Sequence, residues 1–106
     1  MRMLLKVRVP VDRGTAAIND GTLPRLIEQV MRGHEPEAAY FGVEDGMRTG
    51  FLVVDIADPS ELPVIAEPFF QGLGASIDMS PVMTAEDLQR GLAAQQSATS
   101  AGNGAR

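Results

Sequence analysis

An α+β fold, one four-stranded antiparallel sheet with helices on a single face, is what this sequence predicts. Three observations carry the prediction. Four segments alternate apolar and polar residues with the period of a half-buried strand, and two segments space apolar residues three and four apart, as a helix does. Between the middle two strands stands Asp45-Gly46, a strong tight-hairpin signal because both positions tolerate positive φ. The resulting order is strand, helix, strand, strand, helix, strand, followed by one short helix.

The first strand is predicted over residues 4–11, with Leu5, Val7 and Val9 alternating against Leu4, Lys6 and Arg8. Pro10 suits its end, since proline has no N–H for a central ladder. Residues 12–19 fit either a helical turn or a structured loop. The next segment is clearer: Leu23, Leu26, Ile27, Val30 and Met31 form one helical stripe. Thr22 is a suitable N-cap, Pro24 fits the first turn, and Gly33 stands where a C-terminal stop belongs, so the first helix is expected over 22–32.

The second strand is expected over 37–44, with Ala39, Phe41 and Val43 on one face and Ala38, Tyr40 and Glu44 on the other. The third covers 48–56, with Leu52, Val54 and Ile56 toward the helices and Phe51, Val53 and Asp55 away from them. Asp58-Pro59-Ser60-Glu61 opens the second helix with a cap, a proline and an acid near its N-terminus. Leu62, Ile65, Ala66, Phe69 and Leu73 supply its stripe, and Gly72 and Gly74 its end. Pro68 should bend it or leave it 3₁₀-like. The fourth strand, 75–82, sets Ile77 and Met79 against Ser76, Asp78 and Ser80. Thr84 to Asp87 forms a capping-box variant, with Asp in place of Glu, for a short helix over 85–92.

The βαββαβ order is that of a ferredoxin-like domain, whose strands lie 4-1-3-2 across the sheet. One domain is expected over residues 1–92, and 93–106 read as a low-complexity tail of Ala, Gln, Ser, Gly and Asn that buries too little to order itself. With 106 residues there is room for one core, and a hydrophobic fraction of 44% is enough to fill it. The net charge of −5, without a basic run, argues against nucleic acid and anionic membranes as partners. No cysteine is present, so disulfides and thiolate metal sites are excluded. Arg2, Lys6 and Arg8 interrupt the apolar start and exclude a secretory core there, so a cytoplasmic protein is expected.

Pro36-Glu37-Ala38-Ala39-Tyr40-Phe41, the Asp45-Gly46 hairpin and Ala66-Glu67-Pro68-Phe69-Phe70, in this element order, resemble the small dimeric α+β barrel proteins, in particular short bacterial members without assigned activity. The resemblance implies a homodimer formed through the open sheet face. That superfamily spans isomerases, cofactor-free monooxygenases, haem-degrading enzymes and plain dimeric domains, and fold alone does not choose among them.

Alternation assigns Leu5, Val7, Val9, Phe41, Val43, Leu52, Val54, Ile56 and Ile77 to the helix-covered core. The opposite face collects Lys6, Arg8, Tyr40, Phe51, Val53, Asp55 and Asp78, a binding or dimer face in which acids on both neighbouring strands flank the two cations. His34 and Tyr40 are the single histidine and tyrosine, hence the candidate acid–base groups. A solvated loop position for His34 and an interface position for Tyr40 explain both without chemistry. A metal site is not expected, since one histidine stands without motif spacing. The leading expectation is a homodimeric binding or structural domain without a cofactor. Its rival is a cofactor-free enzyme of isomerase or monooxygenase type acting on a small, partly apolar molecule, which is also a possible ligand of a binding domain. The pocket would lie between sheet and helices, near Pro63 and Pro68.

Overall fold

The central strand β1 (Arg2–Val9) shows how alternation becomes architecture. Met3, Leu5, Val7 and Val9 are buried, and Arg2, Leu4, Lys6 and Arg8, which alternate with them, are half-exposed. In the computed structural model, which describes residues 1–102, the elements then run α1 (Val11–Asn19), α2 (Thr22–His34), β2 (Ala38–Glu44), β3 (Met47–Asp55), α3 (Glu61–Leu73), β4 (Ser76–Pro81) and α4 (Ala85–Gly102). All neighbouring strands are antiparallel, in the order β2-β3-β1-β4, so the ferredoxin-like α+β arrangement stands. Relative to the simplest form, α1 is an addition. The core joins Leu5, Val7, Leu52 and Val54 of the sheet to Val30 of α2 and Ile65, Phe69 and Leu73 of α3. Each fully buried aliphatic side chain contributes about 1.5–3 kcal/mol.

Several boundaries move from their expected positions, each for a local reason. Pro10 ends β1 two residues early and serves as the N-cap of α1, its carbonyl accepting the Gly14 N–H at 2.8 Å. The ambiguous 12–19 stretch is this helix. Gly14 lets it sit close: a Cβ there would come within 2.8 Å of Arg48 Nη1 and 3.3 Å of Val9. Helix α2 is capped by Gly21, not Thr22, while Asp20 Oδ1 accepts the Thr22 N–H at 2.8 Å. It runs past Gly33 to His34, where Glu35 turns left-handed at φ 43°. The stop is Pro36, which disfavours the α conformation in the residue before it.

The hairpin forms as predicted, with φ of 55° at Asp45 and 75° at Gly46. Helix α3 stays α-helical through Pro68. One turn earlier Val64 is exposed, so the carbonyl freed by the proline lies on the solvent side of the helix. Asp58 and Glu61 secure its start: Ser60 N–H donates to Asp58 Oδ1, and the N–H groups of Ala57 and Asp58 both donate to Glu61 Oε2, each at 2.9 Å.

Two expectations about packing are corrected. Phe41 and Val43 do lie on the helix side of the sheet, yet they are 57% and 75% exposed. The helices stop short of edge strand β2. Leu26 of α2 lies against Gly72 of α3, where a Cβ would come within 2.7 Å, so α2 leans toward α3 and away from β2. The final helix is also longer than expected, reaching Gly102 instead of Leu92. Its capping box is reciprocal, Thr84 N–H to Asp87 Oδ2 and Asp87 N–H to Thr84 Oγ1, both at 3.1 Å. Ala and Gln in its second half sustain helix by propensity, without packing. The helix stands clear of the domain with Leu88 and Leu92 exposed, and stretches the molecule to 61 Å. Of the expected tail, 103–106 lie outside the described residues.

Candidate functional site

The uncovered face of the sheet gathers the charged candidates around β1. Register places Lys6 between Phe51 and Asp78, and Arg8 between Thr49 and Ser76. The Lys6 ammonium lies 5.9 Å from the centre of the Phe51 ring, within cation–π range. Arg8 Nη1 donates to Asp78 Oδ2 at 2.8 Å. Its Nη2 donates to Glu44 Oε1, which also receives Lys6 Nζ at 3.2 Å. Asp45 Oδ2 lies 3.7 Å from Arg8 Nε, a buried nitrogen that makes no hydrogen bond. To reach Glu44, two strands away, Arg8 crosses β3 over Thr49, which is buried although no helix covers that face.

This cluster is electrostatically self-contained. Its two cations face three carboxylates, and the Arg8 side chain is only 18% exposed. The N–H donors of Arg8 first, and of Lys6 next, hold the Glu44 carboxyl below its ordinary pKa. Asp78, then Glu44, raises the Arg8 guanidinium further above its already high value. A second group sits at the far end of β1, where Arg2 Nε meets Glu37 Oε1 at 2.7 Å and Arg2 Nη1 approaches Asp87 Oδ2 at 3.5 Å.

Of the residues singled out from sequence, Lys6, Arg8 and Asp78 come together, with Phe51 and Val53 beside them. Asp55 does not join them. It pairs with Arg2 in register and binds the Met1 amino group at 2.8 Å. Tyr40 lies on the same face opposite Phe51, 72% exposed. His34 ends α2, on the helix side, so the two acid–base candidates stand on opposite sides of the sheet layer. Sequence reasoning missed Glu44 and Asp45. The usable signal was Thr49 and Gly42 opposite Arg8, small residues that let a long side chain lie across the sheet toward β2.

On the helix side, the lean of α2 opens an apolar cleft of about 370 Å³ over β1, β2 and β3. It is lined by neither His34, Tyr40, Pro63 nor Pro68, and Arg48 is the one charged residue on its wall. Among the described residues, no group of three His, Asp or Glu side chains could hold a metal ion, and no helix is long and apolar enough to cross a membrane.

No protein-family model matches the chain, and no curated protein matches it. Among solved structures it is similar to the de novo designed protein Ferredog-Diesel, at 11% identity and a TM-score of 0.49, over 76% of this chain and 85% of that one. The ferredoxin-like fold of this chain therefore rests on its own strand order and register.

Proposed function

We propose that the chain is a self-associating, non-catalytic domain: a cytoplasmic homodimer of the dimeric α+β barrel type, joined through its open sheet face and working by binding without a cofactor. The observation that carries this reading is that face itself. It is roofed by no helix, yet it holds a nearly enclosed Arg8 and the half-buried apolar side chains of Leu4, Phe51 and Val53. A second copy would exclude water from both.

The area sets a condition on the dimer. Four strands about 4.8 Å apart and eight residues of β1 make a face on the order of 500 Å². A stable interface takes roughly 800 Å² per partner, so α4 must add to it. Arg2, which reaches Asp87 in the first turn of α4, ties that helix to the edge of the face. Light scattering tests the reading: the wild type should run as a dimer, and Phe51→Asp, which sets an unpaired charge in the contact, as a monomer. A wild-type monomer at micromolar concentration, or an unchanged mass for the variant, would overturn it.

The cofactor-free isomerase or monooxygenase keeps one supporting observation, the cleft. We favour binding over catalysis because the cleft wall carries no carboxylate, histidine or tyrosine to move a proton.

A further inference from the structure

We propose that the cleft under α2 binds a small amphipathic anion, an acyl or aryl carboxylate whose apolar body lies in the cleft and whose carboxylate meets Arg48. The cleft measures about 370 Å³, within the range of small-molecule sites. Its floor is Gly50, which points to the helix side of β3 between Val7 and Phe41 and contributes no side chain. A Cβ there would touch only the Phe41 ring, at 3.4 Å. Ile27, Val30 and Met31 form the roof and Leu52 the inner wall. An apolar space of this size forfeits the contacts that a filled core would make, and an apolar ligand restores them.

Arg48 supplies the chemical class. Strand parity sets it on the helix side of the sheet, where its neighbours in register are Val9 and Val43. Nη1 donates to the Val11 carbonyl at 3.2 Å and Nη2 to Thr15 Oγ1 at 3.3 Å, both neutral acceptors. Arg2 and Arg8 each have carboxylate partners, whereas among the described residues no carboxylate lies in ion-pair range of Arg48. Arg48 lines the cleft, and α1 anchors its side chain through two N–H groups; of the five guanidinium donors three remain, and a carboxylate can accept two of them. A neutral ligand would leave those donors unused, and a cation would be repelled. The cleft and the open face lie on opposite sides of the sheet, so this inference does not depend on the dimer.

Calorimetric titration of the full chain with octanoate, octanol and octylammonium tests it. Octanoate should bind one per chain, roughly tenfold tighter than octanol, and octylammonium weakest. Arg48→Gln should reduce octanoate to the octanol level and leave octanol binding unchanged. Gly50→Val should weaken both by filling the floor. Should that variant not fold, methyl chemical shifts of the wild type locate the ligand: Val7, Ile27 and Leu52 should move, and Leu4 and Val53 on the open face should not. The proposal is overturned by equal affinities for all three probes, by octanoate binding that survives Arg48→Gln, by shifts confined to the open face, or by no saturable binding at millimolar ligand.

Discussion

Leu4 and Leu5 are adjacent on one strand and chemically identical, yet they live in different solvents. Leu5 points under the helices and is fully buried; Leu4 points to the open face and is half-exposed. Strand β1 carries Lys6 and Arg8 on its open side, where acids meet their charges laterally, and only Met3, Leu5, Val7 and Val9 on its helix side. The largest expected effect follows from this pair. Leu5→Ala should cost about 2–5 kcal/mol in urea unfolding, a large part of the total stability of a small domain. Leu4→Ala should cost about 1 kcal/mol or less in a monomer. If a second copy covers the open face, the Leu4 cost should rise with protein concentration while the Leu5 cost measured on the dissociated chain stays fixed. Equal costs for the two at every concentration would break the contrast between the faces.

The same contrast explains what could be read in the sequence. Strand parity was legible because β1 and β3 are interior strands with helices over one face only, so period two translates into burial; on edge strand β4 it survives as half-buried Ile77 and Met79 against exposed Ser76, Asp78 and Ser80. Parity also set Phe41 and Val43 on the correct side of β2, but their burial failed because it depends on how far the helices reach. That reach is set by the approach of Leu26 to Gly72, two positions 46 apart in the chain whose meeting no local pattern announces. The open-face cluster was half legible for a related reason. Asp78 lies on a neighbour of β1 and was found, whereas Glu44 lies two strands away and becomes a partner only through the length of the arginine. Helix α4 was read short because its second half was judged by what it could bury, whereas its propensity and cap are sufficient for the helix drawn.

The electrostatics of the open face give the next effect. Glu44 is held below its ordinary pKa by Arg8 and then Lys6, and Asp58 is held below its own by the Ser60 backbone N–H. A carboxylate with a depressed folded-state pKa stabilises the fold above the unfolded-state value, near pH 4, and loses that contribution as pH falls through the depressed value. Thermal unfolding should therefore show stability declining from about pH 4 downward. Glu44→Gln should be less stable than wild type at pH 7 and flatter on the acid side, so that the two curves converge at low pH. The same variant should lose part of its difference from wild type at high salt, because Glu44 is held by full charges, whose attraction salt screens. Asp58→Asn should keep its difference, because a backbone donor is fixed. Parallel pH curves for wild type and Glu44→Gln would show that Arg8 and Lys6 gain nothing from sharing that carboxylate.

Smallest of all should be the effect of trimming α4 on the dilute chain. Leu88 and Leu92 stand one turn apart on the same side of that helix, both exposed, and neither belongs to the core. Leu92→Ala should change the unfolding free energy by no more than about 0.5 kcal/mol at low concentration, since no cavity forms and alanine is the better helix former. In the proposed dimer the open face alone falls short of a stable interface, and Leu88 and Leu92 of α4, the helix that the Arg2–Asp87 pair ties to its edge, would add to the contact. The same substitution should then weaken self-association while leaving monomer stability untouched. A dimer mass that resists Leu88→Ala and Leu92→Ala together, and still yields to Phe51→Asp, would place the whole contact on the strands and leave α4 free for another partner.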